Sequence, residues 1–124
     1  MSQPSAVTLH DKAGLLISLP QWLRYQQDPD YRIIADTITF WDSWRLVTVW
    51  TGISYLSSQE HEGTIFETRV YRGFTRQVHF PSGAPRLTWA TVEQALAGHW
   101  RAVSWLRWHI RAEHDTATRA LTGL

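Results

Sequence analysis

The apolar residues near the start of the chain follow a helical period over a short stretch. From Leu19 to Gln27 they recur at spacings of three and four, which predicts a short helix. Ser18 can cap its N terminus, and Pro20 suits its first turn. The apolar side chains that we expect this helix to bury are Leu19, Trp22 and Leu23.

From Tyr31 onward the sequence is rich in branched and aromatic residues, which favour strands. Three longer antiparallel strands are predicted at Tyr31–Ile38, Trp44–Tyr55 and Thr64–Arg72. Because proline and glycine interrupt the chain after them, the next two extended segments are short. They are Gln77–Phe80 and Arg86–Trp89, the latter as an edge strand.

Residues of the third strand alternate between a core face and a wetter face. Phe66, Thr68 and Val70 are predicted to face the core. The residues expected on the wetter face are Glu67, Arg69 and Tyr71, joined by Thr48 and Trp50 of the preceding strand if the hairpin register permits.

The longest helical pattern begins at Thr91, whose hydroxyl can cap the helix while Gln94 reaches back. We expect this helix to end near Glu113, with residues 1–8 and 115–124 as flexible tails. Its apolar stripe consists of Val92, Leu96, His99, Val103, Leu106 and Ile110.

These elements predict an α+β fold in one domain, residues 1–124. It combines an antiparallel sheet of three to five strands with a long C-terminal helix and a short N-terminal helix packed against it. The residues expected in its core are Val47, Val49, Phe66, Val70, Leu96, Val103 and Leu106.

Composition narrows the functional classes. An apolar share of 44% and a charged share of 19% are ordinary for a globular chain of 124 residues. A net charge of +1 argues against general nucleic-acid binding, and the lack of cysteine excludes thiol chemistry. With no signal peptide and no apolar span in the sequence, we expect a cytoplasmic protein without membrane contact. Eight tryptophans are unusual and indicate an aromatic core or an aromatic binding surface.

The sequence shows no established catalytic or cofactor motif. Its serines have no nucleophile-elbow context, and its glycines form no phosphate-binding loop, so no catalytic residue and no cofactor is expected. The six histidines do not follow a metal-ligand spacing, which disfavours a metal site. The favoured interpretation of His99 is a partly buried histidine that donates to a backbone carbonyl or to a strand side chain. A hydrolase that uses His99 and Glu67 is a third hypothesis.

Aromatic and cationic side chains are combined on the outer side of the long helix. Tryptophan and arginine are typical of protein interfaces, so a protein partner or a homo-oligomer is the first interpretation. The second is structural burial of these side chains, and the third is a nucleotide-like anion held with the help of Arg69 and Arg72. The helix residues proposed for interaction are Arg101, Trp105, Arg107, Trp108 and Arg111.

Several segments together resemble a group of small, uncharacterised proteins of bacteriophages and prophages. Leu16–Trp22 and Asp28–Arg32 resemble the start of these proteins. Val47–Gly52 (Val-Thr-Val-Trp-Thr-Gly) and Ile65–Tyr71 (Ile-Phe-Glu-Thr-Arg-Val-Tyr) are similar to two further motifs. Glu93–His99 ends in Ala-Leu-Ala-Gly-His, like a third.

The resemblance spans roughly residues 9–110 and implies a two-layer fold of strands with one long terminal helix. This chain has Ser54-Tyr55 where the group commonly has an Asp-His pair. Its segment Gly73–Pro85 also differs from the shorter turn of the group, and we expect it to contact the partner. The expected function is a non-enzymatic phage accessory protein that binds a host or virion protein. The alternative is a counter-defence protein that sequesters a nucleotide-like anion.

Overall fold

The computed structural model describes residues 7–39, 44–55, 63–73, 76–78 and 87–122 and shows a fold of mixed helices and strands. The three helices of the described residues are α1 (Leu19–Gln26), α2 (Pro29–Arg32) and α3 (Val92–Thr122). The strands are β1 (Val7–Leu9), β2 (Ile33–Thr39), β3 (Trp44–Trp50), β4 (Ile53–Tyr55), β5 (Phe66–Arg72), β6 (Arg76–Val78) and β7 (Thr88–Trp89).

The main sheet is antiparallel and has five strands. Its order is β2-β3-β5-β6, and β7 also pairs with β5, so β6 and β7 lie along the same edge of that strand. A separate two-stranded sheet joins β1 to β4. The predicted fold class is confirmed: α3 packs across the sheet, and α1 contributes Trp22 to one core cluster.

The central strand β3 sets which side chains face α3. Thr48 pairs with Thr68 and Trp50 with Phe66, and directly opposed residues of an antiparallel pair share one face. Thr48 and Trp50 therefore lie on the core face, and the prediction that they share the face of Glu67 and Arg69 was wrong. The opposite face carries Glu67, Arg69, Val47 and Val49.

The predicted strand Trp44–Tyr55 is divided at Gly52. This glycine has a φ of +67°, and a Cβ there would lie 2.3 Å from the indole ring of Trp50. The chain turns away from the main sheet at this point, and β4 pairs with β1 instead. The predicted strand at Tyr31 also begins later, because Asp28 caps the short helix α2 and the strand starts at Ile33.

The short helix α1 begins as predicted but faces the sheet differently. The Ser18 hydroxyl accepts a hydrogen bond from the backbone N–H of Gln21. The Gln21 side chain in turn accepts one from the backbone N–H of Ser18, which completes a capping box. The Trp22 and Gln26 side chains both donate to the carbonyl oxygen of Thr51, at 2.9 and 3.0 Å. These two bonds fix the rotation of α1, so Trp22 is half-buried while Leu19 and Leu23 are exposed, contrary to prediction.

The long helix α3 contributes most of its predicted stripe to two core clusters. The exception is Leu96, which is 38% exposed because it lies at the margin of the buried stripe. The helix also continues past the predicted end near Glu113 to Thr122, through the segment expected to be a tail. At the other end of the chain, Val7 and Thr8 belong to β1 rather than to a tail.

A small residue allows α3 to approach β7 closely. A Cβ at Gly98 would lie 2.2 Å from ring atoms of Trp89, which is itself buried. Indole rings in a packed core have little room to move. Gly98 therefore fixes the spacing between helix and sheet.

We expect Gly98→Ala to destabilise the protein by up to about 2 kcal/mol, measured by urea unfolding. Alanine improves helix propensity by roughly 1 kcal/mol, but overpacking a core costs about 1–3 kcal/mol. Ser104→Ala, on the exposed side of the same helix, is the matched control and should leave stability unchanged or raise it slightly. A stabilising Gly98→Ala would contradict the close approach.

Candidate functional site

The outer face of α3 combines aromatic and cationic side chains in solvent. Trp100 is 55% exposed and Trp108 is 67% exposed. Arg101, Arg107 and Arg111 are exposed on the same side of the helix. We call these five residues the outer face of α3. It contains four of the five helix residues that the sequence proposed for interaction.

Trp105 does not belong to the outer face. It is half-buried, packs against the core cluster under α3, and stacks on the ring of His109 with centroids 5.0 Å apart. Trp100 takes its place and was missed by sequence reasoning. His99, one residue earlier, is buried, and a helix turns by about 100° per residue. This offset from the buried stripe could have identified Trp100 as exposed.

The two arginines proposed for anion binding lie on opposite faces of the sheet. The Arg72 guanidinium lies over the ring of Trp44, 5.2 Å from its centroid, on the face that α3 covers. Arg69 pairs with Val47 on the other face and donates from Nε to Glu67 at 2.6 Å. Because Arg69 is separated from Arg72 by the sheet, a joint pocket with Arg101 and Trp105 is not formed.

A cleft of about 410 Å³ opens on the face that Arg69 occupies. Its volume lies within the range of small-molecule sites, roughly 300–1,000 Å³. Helices α1 and α2 form one side, and strands β3, β4, β5 and β7 form the rest. The residues that line it include Trp22, Gln26, Arg32, Val49, Thr51, Ile53, Tyr55, Glu67, Arg69 and Thr88.

Two arginines and one glutamate supply the charge of this cleft. Burial works to lower the pKa of Arg69, but the carboxylate of Glu67 and the hydroxyl of Tyr71 outweigh it, and the net pKa is raised. The Nε of Arg32 is buried, and no described residue accepts a hydrogen bond from it. Sequence reasoning gave Arg32 no role in binding, although it ends the Asp28–Arg32 segment; it lies in a helix of four residues.

His99 forms a buried hydrogen-bond network on the α3 side of the sheet. Its Nδ1 lies 2.7 Å from the hydroxyl of Thr48, and its Nε2 lies 2.8 Å from that of Thr37. Thr48 is in turn bonded to Thr68. The predicted bonding of His99 to strand side chains is confirmed.

The hydrolase hypothesis fails on the same geometry. Glu67 faces the cleft on one side of the sheet, while His99 is fully buried on the other. Both ring nitrogens of His99 are already bonded to threonine hydroxyls. These two side chains are therefore not within hydrogen-bond reach of each other.

Three further sequence predictions concern a metal site, a membrane span and a partner-binding segment. In the described part of the chain, no group of three or more metal-ligating side chains comes together. Within those same ranges, no helix has the length and apolar composition to cross a membrane. The segment Gly73–Pro85, expected to contact a partner, lies mostly outside the described residues.

Comparison with known proteins finds no matching family model, no matching curated protein and no matching solved structure.

The His99 network predicts a pH-dependent stability. Burial lowers the pKa of His99 from its ordinary 6.5, although the charge of Asp36 acts to raise it. The unfolded chain then binds the proton more readily. Stability contributed by neutral His99 is thus complete above pH 6.5 and is lost below it, by at most about 1.4 kcal/mol per pH unit.

Urea unfolding between pH 8 and pH 5.5 measures this dependence against a His99→Gln variant, which keeps an uncharged donor and acceptor. The wild type should lose more stability than the variant across that window. Asp36, whose pKa the Arg45 hydrogen bond lowers below 3.8, titrates outside it. Equal slopes for the two proteins would show that protonation of His99 is not coupled to folding.

Proposed function

We propose that this protein is a non-enzymatic bacteriophage accessory protein that binds a host or virion protein through the outer face of α3. The exposure of Trp100 and Trp108 on one rigid helix is the observation on which the binding part rests. The resemblance of the ordered motifs to those of small phage proteins supports the proposed phage origin. We place its action in the cytoplasm of the host cell.

The composition of the outer face favours a protein contact. Tryptophan and arginine are the residues most enriched at interface hot spots, where a few side chains provide most of the binding energy. A tryptophan buries a large area for the loss of only two side-chain rotations. Two of them on one helix therefore give a partner two anchors whose positions are already fixed.

The arginines indicate what charge the partner has. Arg101, Arg107 and Arg111 take part in neither of the two salt bridges found among the described residues. An acidic partner would complement all three, which increases the rate and specificity of association. We therefore expect a partner with a hydrophobic patch bordered by aspartate and glutamate.

The alternative function, capture of a nucleotide-like anion by Arg69, Arg72, Arg101 and Trp105, receives less support. Those side chains lie on separate surfaces, and Trp105 is already stacked on His109. A helix exterior is also convex, whereas small-molecule sites are concave.

The test compares tagged wild type with Trp108→Ser and Trp100→Ser in affinity purification from the bacterial host. We expect one stoichiometric protein to co-purify with the wild type. Each substitution should weaken the purified complex at least tenfold, because losing a hot-spot tryptophan costs about 2 kcal/mol or more. The affinity of the purified partner for the wild type and for each variant is then measured by titration calorimetry.

Leu15→Ser is the matched control, because Leu15 is 66% exposed on a turn before α1, far from α3 in sequence. It should leave binding unchanged. Retained binding by both tryptophan variants, or loss caused by Leu15→Ser alone, would contradict the proposed surface. Light scattering on the isolated protein tests the homo-oligomer: a dimer that Trp108→Ser dissociates would assign the face to a second copy of this chain.

A further inference from the structure

We propose that the cleft between α1, α2 and the sheet is a binding site for a small organic molecule with a carboxylate or phosphate group and a flat apolar body. Arg32 and Arg69 would hold the oxyanion. This site lies on the sheet face opposite α3, so the inference is independent of the function proposed for the outer face of α3.

Arg32 provides the main reason to expect an anion. Its Nε is buried without a hydrogen-bond acceptor, and its guanidinium belongs to neither salt bridge found among the described residues. A buried donor that lacks an acceptor costs about 1–3 kcal/mol, and more when it is charged. Arg32 lines the cleft, where an oxyanion beside its guanidinium would supply the missing counter-charge.

Arg69 adds a second donor group but little net charge. Its Nε is bonded to Oε1 of Glu67 at 2.6 Å, and both residues line the same cleft as Arg32. The pair is neutral overall, so the three groups together leave one positive charge. Arginine presents several donors in a planar fork, which suits the two oxygens of a carboxylate or phosphate.

Aromatic and aliphatic side chains provide the rest of the site. Trp22 and Tyr55 stand on the rim formed by α1 and β4, and Val49 forms part of the floor. Trp22 is held in place by its bond to Thr51, so its ring is already oriented. A planar ring system is the ligand body that such walls accommodate best.

The experiment uses benzoate and phenyl phosphate as probes, with uncharged benzamide as the reference. Binding to the full chain is followed by calorimetry and by NMR of the arginine Nε–H groups. We expect at least one anion to bind, benzamide to bind at least tenfold more weakly, and the Arg32 Nε–H resonance to shift on titration. The two anions distinguish a carboxylate ligand from a phosphate ligand.

Arg32→Gln should weaken anion binding about tenfold or more, because it removes a charged donor. Arg45→Gln is the matched control: Arg45 lies on the same sheet face and is paired with Asp36, but it does not line the cleft. It should bind the anion as the wild type does.

Three results would overturn the proposal: no binding of either anion, equal binding of benzamide, or full binding by Arg32→Gln. Should Arg32→Gln fail to fold, the wild-type NMR titration decides alone. An Arg32 Nε–H signal that does not move while anion is added would refute the site. Loss of partner binding through α3 would not affect any of these readouts.

Discussion

The position of α3 on the sheet depends on one buried polar side chain. His99 is fully enclosed, and a buried imidazole without hydrogen bonds would cost several kcal/mol. Thr37 on β2 and Thr48 on β3 satisfy its two nitrogens from two neighbouring strands. A rotation or a shift of the helix by one residue would break both bonds. The network therefore specifies a register that apolar packing, being non-directional, specifies only loosely.

Four residues of the motif segments noted in the sequence lie at packing constraints of this kind: Trp50, Gly52, Gly98 and His99. Gly98 and His99, which end the Ala-Leu-Ala-Gly-His segment, set the height and the rotation of α3 over the sheet. Trp50 and Gly52 constrain the packing at the other end of the core. The Trp50 indole donates to the carbonyl of His10 and fills the space that a side chain at position 52 would need. The presence of these four residues is thus explained by folding.

Sequence reasoning succeeded where local chemistry decides structure and failed where tertiary pairing decides it. The caps at Ser18 and Thr91 and the stripe of α3 depend on residues a few positions apart, and they were predicted correctly apart from the exposed Leu96. The face of Thr48 and Trp50 depends on register, because a slip of one residue moves every side chain to the other face. The cleft depends on Arg32 and Arg69, which only the docking of α2 beside the sheet brings together.

Residue type alone does not make this cleft a site, as a second ion pair on the same sheet face shows. Arg45 donates two hydrogen bonds to Asp36, at 2.9 and 2.6 Å, whereas Arg69 donates one to Glu67 at 2.6 Å, and each pair joins two residues on one face. Exposed pairs of this kind contribute little to stability, typically about 0–1 kcal/mol. The pair at Asp36 does not line the cleft. The pair at Glu67 instead lines the cleft together with Arg32, whose Nε has no acceptor among the described residues. The difference between a surface ion pair and a ligand site therefore arises from the tertiary placement of Arg32.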